Sequence, residues 1–155
     1  FDMGAGYADI EAAAKTGLVM DESYINYVTA SPSLGGQPSQ INLASMANAK
    51  CVDSCSWTRT VKATQAGSWQ ASSLGMTDGL VLSVSPMAFD LAEGETQELT
   101  ITADVTNADA GWNFANIQLV AEGMPEIKLP VAVKANSNNI PESFSINADR
   151  QSGSA

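Results

Sequence analysis

Apolar and polar residues alternate with a period of two from about residue 40 to residue 133. Nothing else in the sequence narrows the fold as much. Leu99, Ile101, Ala103 and Val105 alternate with Glu98, Thr100, Thr102 and Asp104, and Ile127, Leu129, Val131 and Val133 alternate with Lys128, Pro130, Ala132 and Lys134. Leu80, Leu82 and Val84 repeat the pattern ahead of Pro86, and Trp57, Arg59 and Val61 share a face against Thr58, Thr60 and Lys62. Side chains on a strand point alternately to its two faces, so each run is a strand with one face in a core and the other in water. Turn signals separate the runs: Gly75 to Gly79, Glu93-Gly94-Glu95, Asn107 to Gly111, and Gly123-Met124-Pro125. Six to eight short strands spaced this way predict a mainly β chain folded as an antiparallel β-sandwich. Pro130 cannot donate to a ladder, which places it at an edge or a bulge.

The first 35 residues read differently. Asp9 is a suitable N-cap for a short helix over the alanines at 12–14, with Gly17 at the left-handed position expected after its end. A second helical turn is expected from Glu22 to Val28, followed by a loop through Ser31-Pro32-Ser33-Leu34-Gly35-Gly36-Gln37-Pro38-Ser39. The expected organisation is therefore a helical and linker segment at 1–35, a sandwich at 36–136, and an extension or linker at 137–155 ending in small polar residues. The chain starts at Phe1 without a charged region followed by an apolar stretch, and is expected to be a piece of a larger protein.

Charge and composition exclude several functions. Seven Lys and Arg against 17 Asp and Glu give a net charge of -10, which argues against nucleic acid or an anionic membrane as partner. No apolar stretch is long enough to span a membrane. The chain has no histidine, so it holds no Ser-His or Cys-His nucleophile and no His-ligated zinc. Ala44-Ser45-Met46-Ala47 is the one nucleophile-like string. It lacks a base and sits in a strand-like context, so no catalytic residue is assigned, nor any cofactor or metal ligand. Asp104, Asn107 and Asp109 could supply calcium oxygens, but EF-hand spacing is not met and a polar hairpin loop explains them. Cys51 and Cys55 are too few for a zinc site and spaced one residue too far for a Cys-x-x-Cys redox motif. A local disulfide and two free thiols both remain open on spacing. Arg59, on the face of Trp57 and Val61, is expected to be a buried structural arginine bonded to carbonyls or a carboxylate. Trp57, Trp69 and Trp112 are either core residues or a carbohydrate platform.

Several strings occur together and in order. Asp2-Met3-Gly4-Ala5-Gly6, the short helix, Gly17-Leu18-Val19-Met20-Asp21 and Tyr24-Ile25-Asn26-Tyr27-Val28 resemble the segment by which subtilisin-like serine proteases (subtilases) leave their catalytic domain. Ile41-Asn42-Leu43-Ala44-Ser45, Trp57-Thr58-Arg59-Thr60-Val61 and Leu129-Pro130-Val131-Ala132-Val133 resemble strands of the fibronectin type III-like domain that follows. Tyr7, Thr16 and Ala44 depart from the family, which has histidine, proline and proline there. The resemblance covers residues 1 to about 135. It implies a secreted, extracellular setting, which favours a Cys51–Cys55 disulfide. It also implies that the catalytic residues of the hydrolase lie upstream. The chain is then a non-catalytic accessory domain whose partner is the catalytic domain of the same polypeptide. The alternative is a module that binds carbohydrate, peptide, protein substrate or a surface through exposed aromatics.

Overall fold

The computed structural model describes residues 9–136. Nine strands form two facing sheets. One sheet has the order β1 (Leu18–Val19), β3 (Ser54–Ala63), β7 (Thr96–Asp104), β5 (Val81–Ser85). The other has the order β2 (Met46–Cys51), β9 (Ile127–Ala135), β8 (Gly111–Val120), β4 (Gly67–Leu74), β6 (Ala88–Leu91). The alternation sets the packing: Leu99, Ile101 and Ala103 from one sheet and Ile117, Leu119 and Val133 from the other are fully buried. Burying such side chains contributes roughly 1.5–3 kcal/mol each for the larger aliphatics, the main force holding the sheets together.

The sandwich agrees with the pattern, and three details differ from it. Nine strands among the described residues are one more than the upper number expected, β1 being only two residues long. β2 pairs with β9 in parallel, Met46 level with Val131 and Cys51 level with Ala135, so one ladder is not antiparallel. Pro130 lies in β9, an inner strand. It sits just ahead of Val131, where pairing with β2 begins, so it escapes the missing-donor problem on that side.

The N-terminal segment carries two helices. In α1 (Ile10–Ala14) the Asp9 carboxylate accepts from the Ala12 amide at 2.9 Å. In α2 (Tyr24–Thr29) Ser23 caps through its hydroxyl, which accepts from the Asn26 amide at 3.2 Å, so the helix starts two residues later than expected. Gly17 does not adopt the left-handed conformation expected of it; the glycines with positive φ are elsewhere. Its requirement is space. A Cβ at Gly17 would collide with the Met124 sulfur and come within 2.6 Å of the Trp69 ring. The chain thus turns directly over buried Trp69 and enters β1, which pairs with β3 through Leu18 opposite Ala63. The expected roles of residues 1–8, including the Asp2 to Gly6 string, and of residues 137–155 lie outside the described residues.

Candidate interaction surface of the N-terminal segment

Residues 16–45 run alongside β3 at the edge of its sheet and are fastened there by polar groups. Arg59 stands on the inward face of β3 and is 2% exposed. Its Nε donates to the Leu43 carbonyl at 2.6 Å, one terminal nitrogen to Thr58 at 2.8 Å, and the other to Ser39 at 3.1 Å and Ser45 at 3.3 Å. Four of the five N–H donors of a guanidinium are thus directed at carbonyls. Burial pulls the Arg59 pKa down and nearby Glu22 pushes it up. It stays charged because an arginine starts far above neutral pH.

Asn42 provides a second fastening. Its amide nitrogen donates to the carbonyls of Asp21 at 3.0 Å and Thr60 at 2.8 Å, and its side-chain oxygen accepts from the Thr60 amide at 2.8 Å. An Asn that both donates to and accepts from Thr60 acts as an extra strand residue beside β3. The Asn42 amide in turn donates to Glu22 Oε2 at 2.7 Å, while Glu22 Oε1 accepts from the Ser23 amide at 2.7 Å and the Asn26 side chain at 2.6 Å. The bond from the Asn42 amide, then those from Asn26 and Ser23, hold the Glu22 carboxyl below its usual range. At the other end of the segment, the Thr64 amide donates to the Gly17 carbonyl at 3.0 Å and the Thr64 hydroxyl to Thr16 at 2.7 Å. Gly36 permits the fold-back between these anchors, since a Cβ there would meet the Thr29 carbonyl oxygen and the Ala30 backbone. Neither Asn42 nor Glu22 carries a sequence signal of its own. Asn42 is visible only as one letter of the Ile41 to Ser45 string.

The segment held this way presents apolar groups outward. Tyr24 is 83% exposed and Ile25 60%, and Tyr27, Leu34 and Leu43 are also exposed. Leu43 also lines a groove of about 320 Å³ that opens between the sheets, together with Val19, Met20, Ile127 and Leu129 among others.

The remaining residues singled out in the sequence fall as follows. Cys51 and Cys55 form a disulfide with a Cα–Cα separation of 5.7 Å. It closes the turn by which the chain passes from β2 in one sheet to β3 in the other. Ser45 is not a strand residue; it precedes β2 and offers its carbonyl to Arg59. Asp104 accepts from the Thr106 side chain and, at 2.9 Å, from the Thr106 amide, and these bonds in that order hold its carboxyl below the ordinary value; the Asp109 carbonyl accepts from Asn113. Among the described residues, no three His, Cys, Asp or Glu side chains converge as metal ligands. Trp57 and Trp69 are buried and only Trp112 is exposed, so the three tryptophans do not form a platform. Trp112 shares the outer face of β8 with Phe114. Phase in the sequence carries that signal, because Ile117 and Leu119 point inward and residues 112 and 114 therefore point out.

The fibronectin type-III domain model matches residues 40–133, more than half the chain, and the chain belongs to that family. Its relatives extend the likeness beyond the sandwich into the N-terminal segment. It is 27% identical over 159 residues to the subtilisin-like protease SBT2.3 of Arabidopsis thaliana and 24% identical over 153 residues to SBT2.2, in both cases across 86% of this chain. The chain spans 18% of the length of these curated relatives. Among solved structures, a family 123 glycoside hydrolase from Clostridium perfringens aligns with TM-score 0.53 at 8% identity, over 77% of this chain and 27% of that one. The PapD-like domain of human CEP192 aligns with TM-score 0.50 at 11% identity, over 79% and 87%. At such identity these two likenesses concern the sandwich fold alone. No helix among the described residues is long and apolar enough to cross a membrane.

Proposed function

We propose that this chain is a non-catalytic accessory domain of an extracellular subtilisin-like serine protease, and that it packs on the catalytic domain of the same polypeptide through its N-terminal segment. The observation that carries the proposal is the exposure of Tyr24, Ile25, Tyr27 and Leu34 on a segment that Arg59 and Asn42 fasten to β3, and whose Leu43 and Val19 line an open groove with Ile127. Apolar side chains held exposed to water gain free energy when a matching surface covers them. The protease relatives, each far longer than this chain, supply the kind of polypeptide in which such a surface has a neighbour. Without histidine the chain itself contributes no Ser-His-Asp machinery. Its division at about residue 35 is then functional: a bridging segment, a sandwich that carries it, and an extension from 137 on. Arg59 and the Cys51–Cys55 disulfide are structural in this role.

The test is made in the parent protease. Replacing Tyr24, Ile25 and Tyr27 by serine should lower the melting temperature and the secreted yield while active-site titration still counts intact catalytic serines. Unchanged melting temperature, yield and activity would overturn the docking role.

A further inference from the structure

The sandwich carries an unusual distribution of charge. The chain has 17 acidic residues, yet β2, β9 and β8, three neighbouring strands, contain no Asp or Glu. They contain three of the chain's seven basic residues: Lys50, Lys128 and Lys134. Lys128 is paired with Glu126 at one end. Lys50 and Lys134 belong to neither of the two ion pairs among the described residues. Both are exposed, and both lie toward the other end of the face, Lys134 level with Trp112 in the β8–β9 ladder.

On that same outer face Trp112 is 40% exposed and Phe114 42%. Two residues apart on one strand, their Cα atoms are about 7 Å from each other, and the lysines stand one and two strands away at about 5 Å per strand. Beside Phe114 the ladder places Ala132, and beside Ala132 it places Ala47. These small side chains make a low floor next to the rings. The outward residue following Phe114 on β8 is the half-exposed amide Asn116.

We propose that Trp112, Phe114, Lys134 and Lys50 form a binding strip for an acidic oligosaccharide, a chain of uronic acid residues. A sugar ring offers one apolar face to an aromatic side chain and presents its hydroxyls sideways, here toward Asn116. The carboxylate on each uronate ring is matched by Lys134 and Lys50 through charge-assisted hydrogen bonds. The net negative charge of the chain does not prevent this, because charges farther than about 8 Å are largely screened at physiological salt. An acidic peptide would satisfy the lysines but has no ring to lay on Trp112. This strip is on the sandwich rather than the N-terminal segment, so it is independent of docking to a catalytic domain.

The experiment titrates the full chain with oligogalacturonate and follows tryptophan fluorescence. Trp57 and Trp69 are buried, so a change reports on Trp112. Cello-oligosaccharide and poly-L-glutamate serve as comparison ligands. Oligogalacturonate is expected to shift the emission saturably, with affinity falling as salt rises. Trp112→Ala and Lys134→Gln should each weaken binding about tenfold, as loss of an anchor residue does, at an unchanged melting temperature. The proposal is overturned if oligogalacturonate does not bind, if poly-L-glutamate or the neutral glycan binds as well, or if either variant binds like the parent chain.

Discussion

The sandwich and the N-terminal segment are joined into one structure by different physics. Between the sheets, cohesion comes from repetition: the inward positions of β3, β7, β8 and β9 are mostly apolar and buried, with Arg59 and Asn113 the buried polar exceptions. Across residues 16–45 few side chains are buried, Leu18 and Ala30 among them, and attachment rests on a handful of hydrogen bonds donated by Arg59, Asn42 and Thr64, with Glu22 accepting from the Asn42 amide within the segment. A core built by repetition degrades gradually under substitution. An attachment built from a few polar groups is lost when one is removed, because each buried partner left without its bond costs about 1–3 kcal/mol.

The sharpest way to break that comparison is to remove one group from each region. Leu99→Ala empties part of the core and should cost about 2–5 kcal/mol. Arg59→Ala should cost a similar amount, about 3 kcal/mol or more, by stranding the carbonyls of Ser39, Leu43 and Ser45. The two variants should then differ in where they loosen. Amide exchange should rise at Asn42 and Thr60 in Arg59→Ala well before the β7 and β8 amides respond, whereas Leu99→Ala should affect all of them through global opening. If Arg59→Ala left exchange at Asn42 and Thr60 unchanged, the guanidinium would not be what fixes the segment.

The same division explains what could be read from the sequence. β5, β7 and β9 were visible because their burial follows period two without interruption. β1 was not, because two residues have no period, and its position depends on Gly17 clearing Trp69 and Met124. β2 was hidden for another reason: Ala47, Asn48, Ala49 and Lys50 do alternate, but the alanines fall on the exposed side and Asn48 is half-buried, and parallel pairing to β9 is a tertiary choice. The exposed apolar surface of the N-terminal segment was partly legible, since the apolar residues of 18–28 were evident. Their orientation was not, because it is set by Asn42 and Glu22 through contacts some twenty residues apart.

The disulfide sits where the two regimes meet, on the turn that leads from the segment's side of the molecule into β3. Closing so short a loop is worth about 2 kcal/mol by chain entropy. Replacing both Cys51 and Cys55 by serine should therefore lower stability by less than either core or arginine truncation. It should act on the whole sandwich, because the turn connects its two sheets. Urea unfolding measures this directly. A loss confined to residues 16–45 in amide exchange, with no change in the unfolding midpoint, would show that the disulfide serves the segment instead.

The smallest expected effect separates the regions by pH. Glu22 has its carboxyl held below the usual value by the Asn42 amide first, then by Asn26 and Ser23. A carboxylate whose folded pKa is depressed stabilises the fold in full above its unfolded pKa of about 4.3. That contribution is lost as pH falls through the depressed folded value, because the protonated oxygen no longer accepts these bonds well. Nothing comparable titrates in the core. The Asn42 amide should therefore exchange with a lower protection factor at pH 3 than at pH 6, after correction for intrinsic exchange, while Leu99 and Ile117 keep theirs. In Glu22→Gln the neutral amide accepts more weakly at every pH, so protection at Asn42 should be low throughout and nearly flat with pH. A Glu22→Gln variant that still lost protection at Asn42 on acidification would assign the effect to another carboxylate, Asp21 next in the chain being the first to replace.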